Sequence, residues 1–588
     1  VLGIFTSQDF ISYKGGYMSV LIFSPNGTTT TKTTLAAAVA SADVSGKTIV
    51  VTSAQTIDDL TIPSTIALRC EHGGIITVNS GKLLTINGSF TAGQYQCFAG
   101  SGDVRFGAGS VPDIYPRWFG AKGDGVTADG VAFQRAAFSV YSSGATLRPG
   151  NGTFLISPAV TITHPIKVNG EGRNGGTTFL SPLRAAPNGK QSSSNLFTAT
   201  GINGIEFRDI KLDGGKSAPL YDTDEATNQA LIEIIGGTNI ILENLQFTRY
   251  FQSSTAISSY DDTTYKAAPT YIYNSSNILL KNILYDSTAY GELMNNINVQ
   301  NLTIDGVISA SSAAFTPVQA WGKTTENVKI INCTMKNHLG SAVNLGGKGR
   351  FYLAGNTVEN GKGFDLSEEN SWAQYTDHPS MDGVVITGNN FVDVSLVALV
   401  GDTRQVGTTV TGLTTHSVSI TGNTVRATID AKVAQWGLFT FDNAVFSGNS
   451  GNASLVAGWY DHLSVTDNIF DMFVSSSTNK TAIICRSRNQ AHSISTKIMN
   501  NSIIGVPNGG YAFVYDVFTG GIAATNDQIE FSGNTLLNIY GPNYIMVGSG
   551  TYLAFRFLSA YNTLSGVPWA GTDGTDAVIK TTSYYHYS

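Results

Sequence analysis

Apolar and polar residues alternate along most of this chain in short bursts, each broken by an Asn or Asp turn. The phrase appears as "IEFRDIKL", "IILENLQF", "ILLKNILY", "INVQNLTI", "VKIINCTM", "FYLAGNTV", "VVITGNNF", "VSITGNTV", "AVFSGNSG", "LSVTDNIF" and "IEFSGNTL", with a looser copy, "KIMNNSII". Taking the polar turn residue as anchor gives Asp209, Asn244, Asn282, Asn301, Asn332, Asn356, Asn389, Asn423, Asn449, Asn468, Asn501 and Asn534. The spacings are 35, 38, 19, 31, 24, 33, 34, 26, 19, 33 and 33 residues. A period of two places Val, Ile and Leu on one side of each strand and Ser, Thr and Lys on the other.

Such a phrase, repeated at short and irregular intervals, predicts a solenoid of parallel β coils with loops of variable length inserted between strands. A propeller blade needs about four strands at a steadier spacing of roughly 40–45 residues, which this chain lacks. An Asn at the same corner of each coil is expected to bond its neighbours above and below as a ladder. Several N-x-S/T triplets, Asn301-Leu302-Thr303 among them, fall on that corner, and the ladder explains them better than glycosylation.

A solenoid needs caps at its ends. "GVAFQRAAFSVYSSG" places Phe133, Ala136, Ala137 and Val140 on one helical face and predicts a capping helix over residues 130–143. Upstream, "LTIPSTIALRC" and "GIITVNSGKLLTINGSF" predict a small β-domain over residues 18–112. The β-helix is expected over residues 113–540, and the aromatic-rich residues 541–588 are expected to close it or to pack on another subunit. Residues 1–17 read either as an arm or as a non-native leader. In the second case Met18 is the natural start, because "YKGGYM" back-translates to a ribosome-binding site and start codon.

Composition narrows the function classes. The chain has 588 residues, 13% of them charged, with 64 glycines and 10% aromatics. That is half the usual ~25% charge with ample apolar material, the profile of a turn-rich all-β protein rather than a disordered one. A net charge of −7 provides no basic field for nucleic acid. The cysteines Cys70, Cys97, Cys333 and Cys485 have no CxxC spacing, so no metal site or redox motif is expected, nor any cofactor. No run approaches the ~20 apolar residues of a membrane helix, and no basic-then-apolar leader is visible, so neither membrane insertion nor a signal peptide is expected.

"WFGAKGDGVTADGVAFQRA", beginning at Trp118, resembles the start of the pectate-lyase-like β-helix in bacteriophage tailspikes and capsule depolymerases, whose pattern is FGAxGDGxTDDTxAxQxA. "GATLRPGNGTFLIS" and "IKVNGEGRNGGTTFL" are similar to the segments that follow it, so the resemblance covers roughly residues 114–185. The chain departs from the pattern at Ala128-Asp129-Gly130, where a helix-capping hydroxyl is missing. The resemblance implies a right-handed, single-stranded parallel β-helix and a homotrimer. It also implies attachment to other phage tail proteins on the virion and endo-cleavage of host surface polysaccharide. Within the motif, Asp124 is expected to make a turn between glycines, and Asp129 to lead into the helix near its positive end.

Hydrolysis of a glycosidic bond takes two carboxyl groups about 5–5.5 Å apart for retention, or roughly 6.5–9.5 Å for inversion. Counting ten to thirteen residues past each anchor reaches Glu292, Asn344, Glu368, Glu369, Asp402, Gln435, Trp436, Tyr460 and Asp461. Carboxylates and amides bond sugar hydroxyls, while aromatic faces stack on sugar rings. The densest cluster, "GFDLSEENSWAQYTDHPSMDG", adds Asp365, Trp372, Tyr375, Asp377, His378 and Asp382, and the next coil adds Arg404. Glu368 or Glu369 is the candidate general acid and Asp402 the nucleophile or base. Glu292, Asn344, Asp365, Trp372, Tyr375, His378, Arg404, Trp436, Tyr460 and Asp461 are candidate substrate contacts. A lyase would draw its base and charge neutraliser from Tyr375, His378, Arg404 or Arg486. Against both readings stands the plain one, in which these carboxylates solvate the surface.

Overall fold

The structure is a computed structural model. It describes residues 20–565 except 25–27, 42–44, 142, 186–190, 216–229, 251–267, 287–291, 310–315, 367–380, 402–414, 428–433, 473–480, 488–493, 508–509, 518–526, 540–544, 548–554 and 561–562. Two compact units divide it, Val1–Phe154 with Ile166–Asn169, and Leu155–Pro165 with Gly170–Ser588.

The first unit is itself largely a short parallel coil. Val20–Phe23 pairs antiparallel with Thr29–Lys32 and Thr48–Val51. From there strands stack in parallel: Ala67–Cys70 on Thr48–Val51, Ile76–Val78 on Gln55–Ile57, and Leu83–Ile86 on Leu60–Ile62. Its core is aromatic, with Phe90 packed on Phe98, Phe106 and Trp118 at centroid distances of 5.4, 5.4 and 5.0 Å. Helix Gly130–Val140 buries Phe133, Ala136, Ala137 and Val140, the face that the sequence pattern selects. It ends three residues before the expected 143. This helix anchors to the preceding strands through Ser139 Oγ, which donates to Val104 O at 2.7 Å, and through Arg135 over the Phe119 ring at 5.4 Å. Those contacts carry the unit past residue 112.

Asp124 makes its turn by accepting from Val126 N, Thr127 N and Thr127 Oγ1 at 2.9, 2.7 and 2.7 Å, which lowers its carboxyl to about pH 2. Asp129 occupies the position before the helix, but its carboxylate does not cap it. Instead it turns back to accept from Lys122 N and Gly123 N at 2.7 and 3.0 Å. Burial raises its pKa despite those two bonds.

The second unit is an all-β, right-handed parallel β-helix with three strands per coil. One coil runs Ser276–Lys281, Leu284–Asp286 and Glu292–Ile297; the next runs Gln300–Asp305, Ile308–Ser309 and Thr316–Trp321. We call the three resulting stacks the first, second and third sheets. Registry is strict: Ile278 lies opposite Leu302, Leu302 opposite Val328, and Val328 opposite Phe351. The pattern continues beyond residue 540, where Ile545–Val547, Phe555–Ala560 and Thr563–Ser565 stack on the coil before them.

The corner between the first and second sheets explains the repeated phrase and corrects its alignment. It takes two residues, a left-handed one and then an inward one. The left-handed set is Asp209, Asn244, Asn282, Gly306, Asn332, Gly355, Gly388, Gly422, Gly448, Asp467, Asn500 and Gly533, all with φ between 52° and 69°. Glycine, asparagine and aspartate are the residues that tolerate this conformation. The inward set is Ile210, Leu245, Ile283, Val307, Cys333, then Asn356, Asn389, Asn423, Asn449, Asn468, Asn501 and Asn534, all buried. The sequence anchors Asp209, Asn244, Asn282 and Asn332 therefore belong to the first set, one residue out of register with the later asparagines. Asn301 belongs to a different corner, where exposed Asn239, Asn277, Asn301 and Asn327 form a separate ladder at 3.1–3.2 Å.

The inner ladder closes its own hydrogen bonding. Asn389 Nδ2 donates to Asn423 Oδ1 at 2.9 Å and to Leu353 O at 3.0 Å. Its Oδ1 accepts from Asn356 N and Asn356 Nδ2, both at 2.9 Å. Buried amides are stable when all their groups are paired in this way. In the second sheet, just past that corner, Gly451 has φ 128° opposite Val425, and a Cβ there would lie 1.7 Å from Val425 O.

Candidate functional site

In sequence, most of the segments outside the described residues adjoin strands of the third sheet. Inward positions along it are apolar: Met294, Val318, Val343 and Phe364 lie in register and are fully buried. Each next residue points the other way. That outward column reads Asn295, Gln319, Asn344 and Asp365, opposite one another on successive coils. Asn295 and Gln319 are buried, while Asn344 and Asp365 are half-buried. Trp321, two residues past Gln319, donates from its indole N–H to Asn295 Oδ1 at 3.1 Å. It clusters with Tyr271 and Ile297, and Tyr273 packs beside them. One coil beyond Asp365 the column turns apolar at Leu399, then continues through Gly437, Val456 and Ile484.

A second column begins the first sheet. It is formed by the residue two before each of Val384, Val418, Ala444 and Leu463, which lie opposite one another. These residues are Asp382, His416, Asp442 and Asp461. Parallel strands stand about 4.8 Å apart, so the carboxylates and imidazole follow one another at that spacing. His416 Nδ1 lies 2.8 Å from Asp442 Oδ2. The corner just before Asp442 and Asp461 is strained, because Thr440 and Trp459 hold φ of 54° and 57°. A β-branched or bulky residue in that region costs on the order of 1–3 kcal/mol.

Among the sequence candidates, Asn344 and Asp365 are brought together as neighbours in the polar column, and Asp461 falls in the titratable one. Trp436 and Tyr460 are corrected. Both point inward with 2% and 0% exposure, Trp436 packed on Phe391 and Phe446, and Tyr460 stacked on Phe441. The Tyr460 hydroxyl bonds Thr496 Oγ1 at 2.8 Å, and burial raises its pKa well above the ordinary value. Neither ring can meet a sugar. Glu292 opens strand Glu292–Ile297, but its side chain lies outside the described residues, as do Glu368, Glu369, Trp372, Tyr375, His378, Asp402 and Arg404. The strands that lead to Glu368 and Asp402 do pair, with Leu366 opposite Val400. Each candidate carboxylate is thus two residues past a registered pair.

Sequence reasoning missed Asn295, Gln319, Trp321, Asp382 as part of a column, His416 and Asp442. A signal for the titratable column was present. Asp382, His416, Asp442 and Asp461 each precede an inner-ladder asparagine (389, 423, 449, 468) by seven residues. Counting backward crosses only the first sheet, whose length is constant; counting forward crosses the variable insertions.

Among the described residues no group of His, Cys, Asp and Glu has the arrangement of a metal site, and no helix is long and apolar enough to cross a membrane.

Fold and site together define a parallel β-helix with a polar strip on one sheet. Residues 117–336 match the family model described as rhamnogalacturonase A/epimerase, pectate lyase-like. No protein of curated function matches the chain. Similar solved structures include the Streptococcus pneumoniae surface adhesin PfbA, at 14% identity over 74% of this chain and 100% of that one, with a TM-score of 0.38. A Yersinia enterocolitica family 28 exopolygalacturonase matches at 12% identity over 78% and 79%, with a TM-score of 0.36. The tailspike of Pseudomonas phage phi297 matches at 11% over 75% and 82%, with a TM-score of 0.33.

Proposed function

We propose that this chain is a tail-associated phage depolymerase that binds bacterial surface polysaccharide, capsular or O-antigen, on its third sheet and cuts it internally by hydrolysis. The observation that carries this reading is the in-register polar column Asn295–Gln319–Asn344–Asp365, whose half-buried members Asn344 and Asp365 offer polar groups to a ligand while buried Asn295, Gln319 and Trp321 support them from below. Amides and a carboxylate at about 4.8 Å intervals suit a chain of hydroxyl-bearing rings laid across the coils. The description of the matching family, an enzyme class of pectic polysaccharide, agrees with it.

Chemistry belongs at the upper end of this column, where the chain passes from Asp365 into 367–380 and from Val400 into 402–414. Glu368 or Glu369 serves as general acid, protonating the glycosidic oxygen as the bond breaks. Asp402 attacks the anomeric carbon or activates water. Leu366 and Val400, each two residues before a candidate carboxylate, lie opposite one another on adjacent coils, a step of about 4.8 Å that is close to the retaining distance of roughly 5–5.5 Å. Trp372, Tyr375, His378 and Arg404 would hold the sugar beside them. The working particle is a homotrimer attached to other tail proteins.

A second reading, β-elimination on a uronate, draws support from the His416–Asp442 bond. A carboxylate on Nδ1 orients an imidazole so that Nε2 can take a proton. Arg404 would then neutralise the uronate. A third, a non-catalytic adhesin, leaves the polymer intact.

Glu368→Gln and Asp402→Asn, each with unchanged circular dichroism and oligomeric state, should abolish release of reducing ends from host capsule. New absorbance near 235 nm would mark elimination instead. Full activity in both variants removes the proposed pair.

A further inference from the structure

His338 is buried to 4% exposure at the corner between the second and third sheets, while its neighbour Leu339 is 57% exposed. The corner is built as elsewhere, with Asn337, Asn360 and Asp393 in the left-handed conformation on successive coils. The residue after each points inward, giving His338, Gly361 and Val394. Gly361 leaves a gap and the imidazole fills it. A Cβ at position 361 would lie 2.3 Å from His338 Nε2 and 2.5 Å from Cε1.

From this seat Nε2 reaches Lys362 O at 2.7 Å. A carbonyl only accepts, so Nε2 carries the hydrogen and Nδ1 is the bare nitrogen. Nδ1 is buried without any partner. Protonation would place a second N–H, and a full charge, where nothing accepts them. The charged groups on the strands around it are Lys336 and, one coil on, Glu359, which pair with each other at 2.7 Å, then Lys362 and Asp365 on that next coil, with Asp393 two coils on. Burial lowers the imidazole's pKa against the opposing effect of the Lys362 carbonyl.

We propose that His338 is an acid-sensitive latch: it closes this corner as a neutral imidazole and, on protonation, leaves its seat over Gly361 and loosens strands Ser341–Leu345 and Lys362–Leu366. Those strands carry Asn344 and Asp365, but the latch itself holds whatever ligand the surface takes. The sign follows from linkage. The folded-state pKa lies below the unfolded value of about 6.5, so the neutral form's contribution is complete above that pH and is lost as pH falls through the folded value.

The test combines hydrogen exchange and thermal unfolding of the full chain between pH 7.5 and 5.0. After correction for intrinsic rates, backbone exchange in 341–345 and 362–366 should accelerate on acidification. His338→Gln, which keeps an N–H for Lys362 O but cannot titrate, should remove the acceleration and flatten this share of the loss in Tm. If the glutamine does not fit, exchange at the His338 C2–H in the unaltered chain decides. Slow exchange with a midpoint below 6.5 supports the latch. A midpoint at or above 6.5, or equal acid response of the two proteins, overturns it.

Discussion

Replacing Asn423 by leucine removes one rung from the middle of the inner ladder. Its Oδ1 accepts from Asn389 N and Asn389 Nδ2, both at 2.9 Å. Its Nδ2 donates to Ile386 O at 2.9 Å and Asn449 Oδ1 at 2.8 Å. Leucine has nearly the same volume, so the cavity term is small and the orphaned groups dominate. Two N–H groups of Asn389 lose their acceptor, and each orphaned buried donor costs about 1–3 kcal/mol. The sum is roughly 2–6 kcal/mol. At the lower end of the ladder Asn356 accepts only from Cys333 N, at 2.9 Å, on the side away from Asn389. Asn356→Leu therefore orphans one donor, and about 1–3 kcal/mol is expected. Equilibrium unfolding in guanidinium, with matched m-values, measures the difference, and exchange of the Asn389 amide locates it. The reasoning fails if Asn423→Leu costs no more than Asn356→Leu, or if Asn389 keeps its protection.

Three other outcomes are expected. The Asp124 turn contributes stability that is complete above the unfolded carboxyl value of about 3.9 and lost as pH falls toward its folded value of about 2, so wild type and Asp124→Ala should converge in Tm over that interval. Arg249 holds buried Asp213 through Nε and Nη2 at 2.7 and 2.6 Å, and Arg249→Met should cost up to about 3 kcal/mol in denaturant unfolding, a figure reduced because the guanidinium is half in water. Trp436→Ala should lower stability by about 3–5 kcal/mol while leaving polysaccharide affinity unchanged, and Asn344→Ala should do the reverse in paired unfolding and binding assays.

The solenoid was legible because coil strands are short, amphipathic and closed by corners that demand Gly, Asn or Asp. Its exact corner was not. Asp209 and Asn356 look alike in a phrase, yet one is chosen for a left-handed backbone and the other for amide pairing inside the core. The capping face of Phe133, Ala136, Ala137 and Val140 was legible from helical spacing alone. Trp436 and Tyr460 fall inside because inward and outward positions differ by one residue: the path from Asn423 to Trp436 crosses the segment 428–433, and Tyr460 follows a left-handed corner at Trp459 that interrupts the alternation. Asn344 and Asp365 fall on one outward column because the chain from Asn332 to Asn344 and from Asn356 to Asp365 crosses only the second sheet and no inserted segment. His338 was silent in the sequence, since its burial depends on Gly361 one coil away.

The central claim is internal cleavage of a bacterial surface polysaccharide, and the most direct measurement follows polymer mass by light scattering alongside reducing-end release. Incubation with host capsule should collapse the mass early, while few reducing ends have formed, as random internal cuts require. Polymer that binds the protein but keeps its mass would contradict the account and leave an adhesin.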